Sequence, residues 1–511
     1  MAVGQFYSLN LEKYLLFCSG CFNVISNIRF VFAAFYTNTV LQLRPVLEDP
    51  PMNDTLAPPA GSEPESVKLI YHFLCWASFW LIVGTMYGLL AAIKLYWPEA
   101  VEYSVFSFGR IRPIHTTIVF FGWSSMALMG LTLFVVARTS KIPLQAPKAA
   151  WIGLQLWNVC LLMGLITLSL GISNGPQEYR EVIAPIATFY AVGLILIFYS
   201  CYQTVAKRAI PEIYISNWYI LGAFSWMTIL SITAYLPFYQ DGMGNVIIQG
   251  YYMHVGVGLW FTPLVLGITY YALPRLLGKP IYSYALGVLG FWTNLLFYTL
   301  IGAHHYIFSP VPWWLQTTAI LFSVGMMVPV WSGSGNFFLT ARGSWHKVRR
   351  SYAIIFLLTG IWGYALVSTQ GTIEAFRSAN IYWHFTNFTV GHSHLAMYGF
   401  ISFAIWGAIY GLLPRITGNE LSEGAIGLHF WLAFVGGSVY VISISAAGIL
   451  QGASWVAGES FIASVDAAKP MWLWRSIGGL MMVASHIVFI VNLWNMRPKR
   501  DADLLAKVVA V

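Results

Sequence analysis

Between Val67 and Trp494 the chain is divided into apolar runs of about 20 residues or more, each long enough to cross a bilayer core of about 30 Å at about 1.5 Å per helical residue. Only 9% of the residues are charged, far from the roughly 25% of a soluble domain, so water is not the main solvent of this chain. Twelve spans fall at about 68–95, 112–137, 150–172, 182–206, 215–237, 248–274, 283–307, 315–340, 351–369, 385–413, 426–453 and 472–495. They predict an all-α, polytopic membrane helix bundle of twelve transmembrane helices.

The net charge of +8 is explained by its placement and implies no nucleic-acid partner. If the first span runs outward, the inner connections and the C-terminus hold Arg138, Lys141, Lys148, Lys207, Arg208, Arg275, Lys279, Arg342, Lys347, Arg349, Arg350, Arg415, Arg497, Lys499, Arg500 and Lys507. The outer side holds only Lys94, Arg110, Arg112, Arg180, Arg377, Lys469 and Arg475. This asymmetry puts the C-terminus in the cytoplasm.

Residues 1–66 differ in composition. An apolar stretch from about Tyr14 to Tyr36 contains Asn23, Asn27 and Arg29, so it reads as a weak additional helix, followed by a linker rich in Pro, Glu and Asp. Met52 precedes a polar leader, NDTLAPPAGSEPES, and is expected to be an alternative start. The membrane domain then covers 67–496, and 497–511 forms a cytoplasmic tail. Cys18, Cys21, Cys75, Cys160 and Cys201 suggest no disulfide framework, and the C-x-x-C lacks the histidine of a c-type haem attachment.

Ionisable groups inside spans are costly and point to function. His115, His254, His304, His305, His392 and His394 all fall within a few turns of the predicted outer helix ends, so six imidazoles share one layer. Imidazole ligates iron, copper and zinc alike. His392 and His394 are two apart and, at about 100° per residue, diverge enough to serve two cofactors flanking their helix. His304 and His305 lie at a helix end, where both rings can turn to one metal beside His254. His72, His346, His384, His429 and His486 receive no metal assignment.

At these residues the chain resembles subunit I of the cbb3-type cytochrome c oxidases, a class of haem-copper oxidase. The stretches are FGRIRPIHTTIVFFG, YMHVGVG, KPIYSYALGVLGFWTNLLFYTLIGAHHY, NFTVGHSHLAMYGF, GLHFWLAFVG and AGILQGASW. The resemblance covers about Val67 to Met496 and implies the fold of that subunit in a bacterial inner membrane. It implies that His115 and His394 are axial ligands of a low-spin haem b and His392 the proximal ligand of a high-spin haem b. His254, His304 and His305 would then bind copper, and Tyr298 would be covalently joined to His254. Ser283 and Tyr284 would start a proton path, and Glu178 and Glu181 would lie near a calcium ion. Gln370 stands at a family glutamate position beside the proximal ligand.

The implied reaction is reduction of O2 to water, coupled to proton uptake and translocation. Electrons would come from membrane-anchored c-type cytochrome subunits. One alternative is nitric oxide reductase, whose extra glutamate ligand would fall at Gly258 and which has no counterpart of Tyr298. A histidine-rich transporter without redox chemistry is another.

Overall fold

The computed structural model describes residues 64–175, 177–237 and 240–498. The expectations for the weak N-terminal helix, Cys18, Cys21 and Met52, and for Lys499, Arg500 and Lys507, lie outside the described residues. Among the described residues there are twelve helices of membrane-crossing length and no strand. They are α1 Pro64–Tyr96, α2 Phe108–Ser140, α3 Pro147–Ser169, α4 Ala184–Ala206, α5 Ile215–Thr233, α6 Gly242–Leu277, α7 Tyr284–Tyr306, α8 Trp313–Ala341, α9 Tyr352–Ala375, α10 Asn387–Thr417, α11 Glu423–Val456 and α12 Phe461–Asn495.

Each predicted span corresponds to one of these helices, but some ends move. The largest shift is at α12, which begins at Phe461 rather than near 472. Asp466, Lys469 and Pro470 lower the apolar signal there, yet the Ser460 side chain caps the helix by accepting from the Ala463 N–H. The extra residues extend α12 by about 16 Å. Within α8 the helix is interrupted at Met326, because Pro329 has no N–H and its ring displaces the carbonyl four residues earlier.

Burial separates the helices into inner and outer members. The most apolar windows of α2 and α6 are 94% buried and that of α10 is 83% buried, whereas no other exceeds 61%. These three carry His115, His254, His392 and His394. Hydropathy alone does not separate them, since the mostly exposed α4 is nearly as apolar as the enclosed α2. Where outer helices cross closely, small residues meet: a Cβ on Gly436 of α11 would lie 3.0 Å from the Gly478 carbonyl of α12.

All three inner helices change winding just after their histidines. Ile118–Ser125 in α2, Gly256–Phe261 in α6 and Leu395–Ser402 in α10 wind as π-helix. Such wide turns are rare and concentrate at functional sites. Two other buried histidines lie in the bundle: the His429 Nδ1 is 2.8 Å from the Tyr410 hydroxyl, and the His486 Nδ1 is 3.3 Å from that of Thr85. Cys75, Cys160 and Cys201 are free thiols.

Candidate active site

The last turn of α7, Gly302–Tyr306, tightens to a 3-10 helix and turns both of its histidines toward α6. The ring centres of His254 and His304 are 4.4 Å apart, those of His254 and His305 5.1 Å, and those of His304 and His305 4.6 Å. One ligand nitrogen from each lies within 4.8 Å of the others, a spacing that one ion can bridge. The Ser323 hydroxyl donates to the Ala319 carbonyl at 2.7 Å, so toward His304 Nδ1, 2.8 Å away, it accepts. That contact holds the His304 proton on Nδ1 and leaves the Nε2 lone pair free for a metal.

The same device recurs at three more histidines. His115 Nδ1 donates to the Gly84 carbonyl at 2.8 Å, and His394 Nδ1 to the Val390 carbonyl at 2.8 Å. His392 Nδ1 donates to the Gln370 amide oxygen at 3.1 Å. A carbonyl oxygen only accepts, so each ring keeps Nε2 unprotonated. The His115 and His394 rings are nearly parallel, 14° apart, with centres separated by 6.1 Å. One metal between them, with bonds of about 2 Å on each side, fits that separation. Gly88 makes room, because a Cβ there would meet the His115 ring at 2.5 Å.

His392 and His394 diverge as their spacing predicts. His394 lies against Tyr440, with ring centres 4.5 Å apart and planes tilted by 34°, and Tyr440 in turn accepts from the buried Arg475 at 3.0 Å. His392 faces α9 and lies within electrostatic reach of His254, His304 and His305. Gln370 supplies its nearer partner, and the buried Glu374, one turn later, places Oε2 3.7 Å from Nδ1. The Thr389 hydroxyl donates to the other oxygen of Glu374 at 3.2 Å.

Tyr298 is buried on α7, its ring centre 5.3 Å from that of His254. Any Cβ at Gly258 would overlap the Tyr298 ring. A glutamate at position 258 and a tyrosine at 298 therefore exclude each other in this packing. Ser283 caps α7 by accepting from the Leu286 N–H at 3.2 Å, and the Tyr284 hydroxyl donates to the Ile213 carbonyl at 3.2 Å, so both have structural roles. Sequence reasoning missed their neighbours. Asn336 donates to the Ser283 carbonyl at 2.7 Å and to the Tyr270 hydroxyl at 3.3 Å. Asn294 donates to the Gly258 carbonyl at 3.3 Å, and its own oxygen is buried without a partner, as is the Tyr364 hydroxyl. Two asparagines inside apolar spans were the available signal. His384 was also passed over: its ring centre is 6.4 Å from that of His305, and burial pushes its pKa down to about 4.

Residues 68–481 match the family described as Cytochrome C and Quinol oxidase polypeptide I. The chain belongs to this family. It is the catalytic subunit of a haem-copper terminal oxidase, an integral multi-pass membrane enzyme with partner subunits. Among relatives of this oxidase subunit, the Cbb3-type cytochrome c oxidase subunit CcoN1 of Stutzerimonas stutzeri is 32% identical over 454 residues, covering 85% of this chain and 96% of the relative. Cytochrome c oxidase subunit 1 of Rhodobacter capsulatus is 30% identical over 441 residues, covering 82% and 83%. The solved structure of a heme-copper terminal oxidase dimer shares the fold, with a TM-score of 0.70 at 14% identity over 86% of this chain and 85% of that one. The reductase and transporter alternatives are not favoured.

The family implies haem and copper, and the donor set of this oxidase subunit fits them: a three-nitrogen cluster for one metal, a facing imidazole pair, and a separate single imidazole. The loop before α4 adds carboxylates. Arg112 Nη2 is 2.8 Å from Glu178 Oε1, and Arg112 Nη1 is 3.9 Å from Glu181 Oε1. Glu181 is 2% exposed, and its Oε2 is buried without a partner. Burial pushes its pKa up to about 7, against the opposing pull of its backbone hydrogen bond and of Arg112. The raised value favours the neutral form in the fold. Its contribution to stability is full below the ordinary carboxyl value of 4.5 and is lost as pH rises through about 7. Infrared difference spectra in calcium-free buffer should show a protonated carboxyl band at pH 6 that has gone by pH 8. Glu181→Gln should remove the band, and an unchanged band would assign it elsewhere.

Proposed function

We propose that the subunit reduces O2 to water at a centre formed by copper and a high-spin haem b, with a low-spin haem b passing electrons to it. The observation that carries this reading is the meeting of His254, His304 and His305 with the buried Tyr298 in one small volume, with His392 within reach. His254, His304 and His305 would hold copper, His392 would hold the high-spin haem, and His115 with His394 would hold the low-spin haem. When bound, these metals supply the one-electron steps that oxygen reduction needs.

The protein's own groups arrange ligands and protons around them. Ser323, Gly84, Val390 and Gln370 fix the tautomers, so each of these four ligands presents Nε2. Gln370 is neutral, and the one carboxylate within 4.0 Å of His392 among the described residues is that of Glu374, at the longer distance of 3.7 Å. Tyr298 holds a proton at its hydroxyl oxygen beside the copper-binding cluster, and reduction of one O2 consumes four protons and four electrons. Protons return toward Tyr298 through water and the polar groups of α5 to α9, with Ser283 and Tyr284 marking the entrance and Asn336, Tyr270 and Asn294 lying between. The buried, unpartnered oxygens of Asn294 and Tyr364 support such water.

The free Oε2 of Glu181 supports a calcium ion at the outer loop, held with Glu178. Electrons arrive from membrane-anchored c-type cytochrome subunits, and the complex sits in a bacterial inner membrane with the C-terminus of this chain in the cytoplasm. Haem extraction and metal analysis of the purified oxidase should give two haems b and one copper per chain. Iron in place of copper would transfer the reading to nitric oxide reduction.

A further inference from the structure

Three basic side chains and a histidine meet at the end of the bundle remote from the metal-binding layer. His346 and Lys347 come from the short helix Trp345–Val348, Arg350 from the following turn, and Arg415 from the last turn of α10. Arg415 is 21 residues beyond His394, about 31 Å at about 1.5 Å per residue. With Leu276 and Ile354 these groups line an open cavity of about 510 Å³. None takes part in the three ion pairs among the described residues. Lys347 Nζ donates to the Leu277 carbonyl at 2.6 Å. Among the described residues, the side chains of His346, Arg350 and Arg415 form no hydrogen bond or ion pair. Glu423 is turned away onto the Tyr352 N–H at 2.8 Å, where it caps α9.

Like charges gathered without an acid repel one another, and a bound anion relieves that repulsion. Guanidinium groups match phosphate oxygens in charge and shape. The depth of the cavity identifies the source of the phosphate. Trp345, next in the chain to the lining residue His346, is 46% exposed, as aromatic residues are at the membrane–water interface. Leu276 and Ile354 close one side with apolar surface from the ends of α6 and α9. Basic pockets between transmembrane helices at this level take anionic headgroups.

We propose that this cavity binds the phosphate headgroup of an anionic phospholipid, with Arg350 and Arg415 on the phosphate oxygens and Leu276 and Ile354 against the first acyl carbons. Free phosphate offers the same oxygens but nothing for the apolar wall. The complete oxidase, delipidated in detergent, is titrated with phosphatidylglycerol, phosphatidylcholine or inorganic phosphate and read by native mass spectrometry. Wild type should retain phosphatidylglycerol in preference to phosphatidylcholine, and equimolar inorganic phosphate should not displace it. The double variant R350Q/R415Q should bind about 30-fold more weakly, and R415Q alone about fivefold. R208Q, on the same face but outside the cavity, should bind as wild type does, and unchanged haem spectra will report that the variants fold. Equal retention in wild type and the double variant, or equal binding of phosphatidylcholine, would overturn the proposal. Displacement by inorganic phosphate would assign the cavity to the free ion instead.

Discussion

Replacing Tyr298 by phenylalanine is expected to abolish oxygen turnover, by at least about 10²-fold, while leaving both haem spectra intact. The hydroxyl is the only group removed. The aromatic ring still fills the space against Gly258 and stays beside His254, so helix packing is preserved. What is lost is the proton at the phenol oxygen. A covalent bond between the two side chains is also expected, and peptide mass spectrometry of the wild type should find the segments containing His254 and Tyr298 joined. Separate peptides, together with a Tyr298→Phe enzyme reducing oxygen at the wild-type rate, would remove Tyr298 from the reaction.

The second large effect separates the two kinds of histidine site. His115→Ala should eliminate the low-spin haem spectrum, because that haem loses one of two axial ligands and the Gly84 carbonyl loses its donor. His394→Ala should behave in the same way. His304→Ala should spare both haems and lose copper, since His254 and His305 alone leave the metal two nitrogens. Optical spectra and copper content of the three variants decide the matter. Loss of the low-spin haem in His304→Ala would mean that the six histidines are divided wrongly.

Much of this site was legible in the linear sequence. Intramembrane histidines are expensive enough to stand out, and helical periodicity already separates His392 from His394. The helix-end position of His304 and His305 likewise anticipated that both could turn to one metal, and the tighter final turn of α7 accomplishes this. The polar groups around Tyr298 were harder to see, because Asn294, Asn336, Tyr270 and Tyr364 converge only when α6, α7, α8 and α9 are packed together. His384 received no metal assignment from the sequence, and only the return of the chain before α10 brings it near His305.

Apolar length by itself determined twelve membrane-crossing helices, since a bilayer rewards any segment that satisfies its backbone internally and hides it in apolar surface. It did not determine which helices are central. Lipid and protein interior are both apolar, so α2 and α4 have nearly the same hydropathy although α2 is enclosed and α4 faces outward. Packing also decided the tautomers: the proton on His115 is held by a carbonyl 31 positions away, and the one on His304 by a serine 19 positions away. The sequence names candidate ligands because their cost in a membrane is local, whereas the lone pairs of His115, His304 and His392 take their direction from partners on other helices; only His394 is held by its own helix, through Val390.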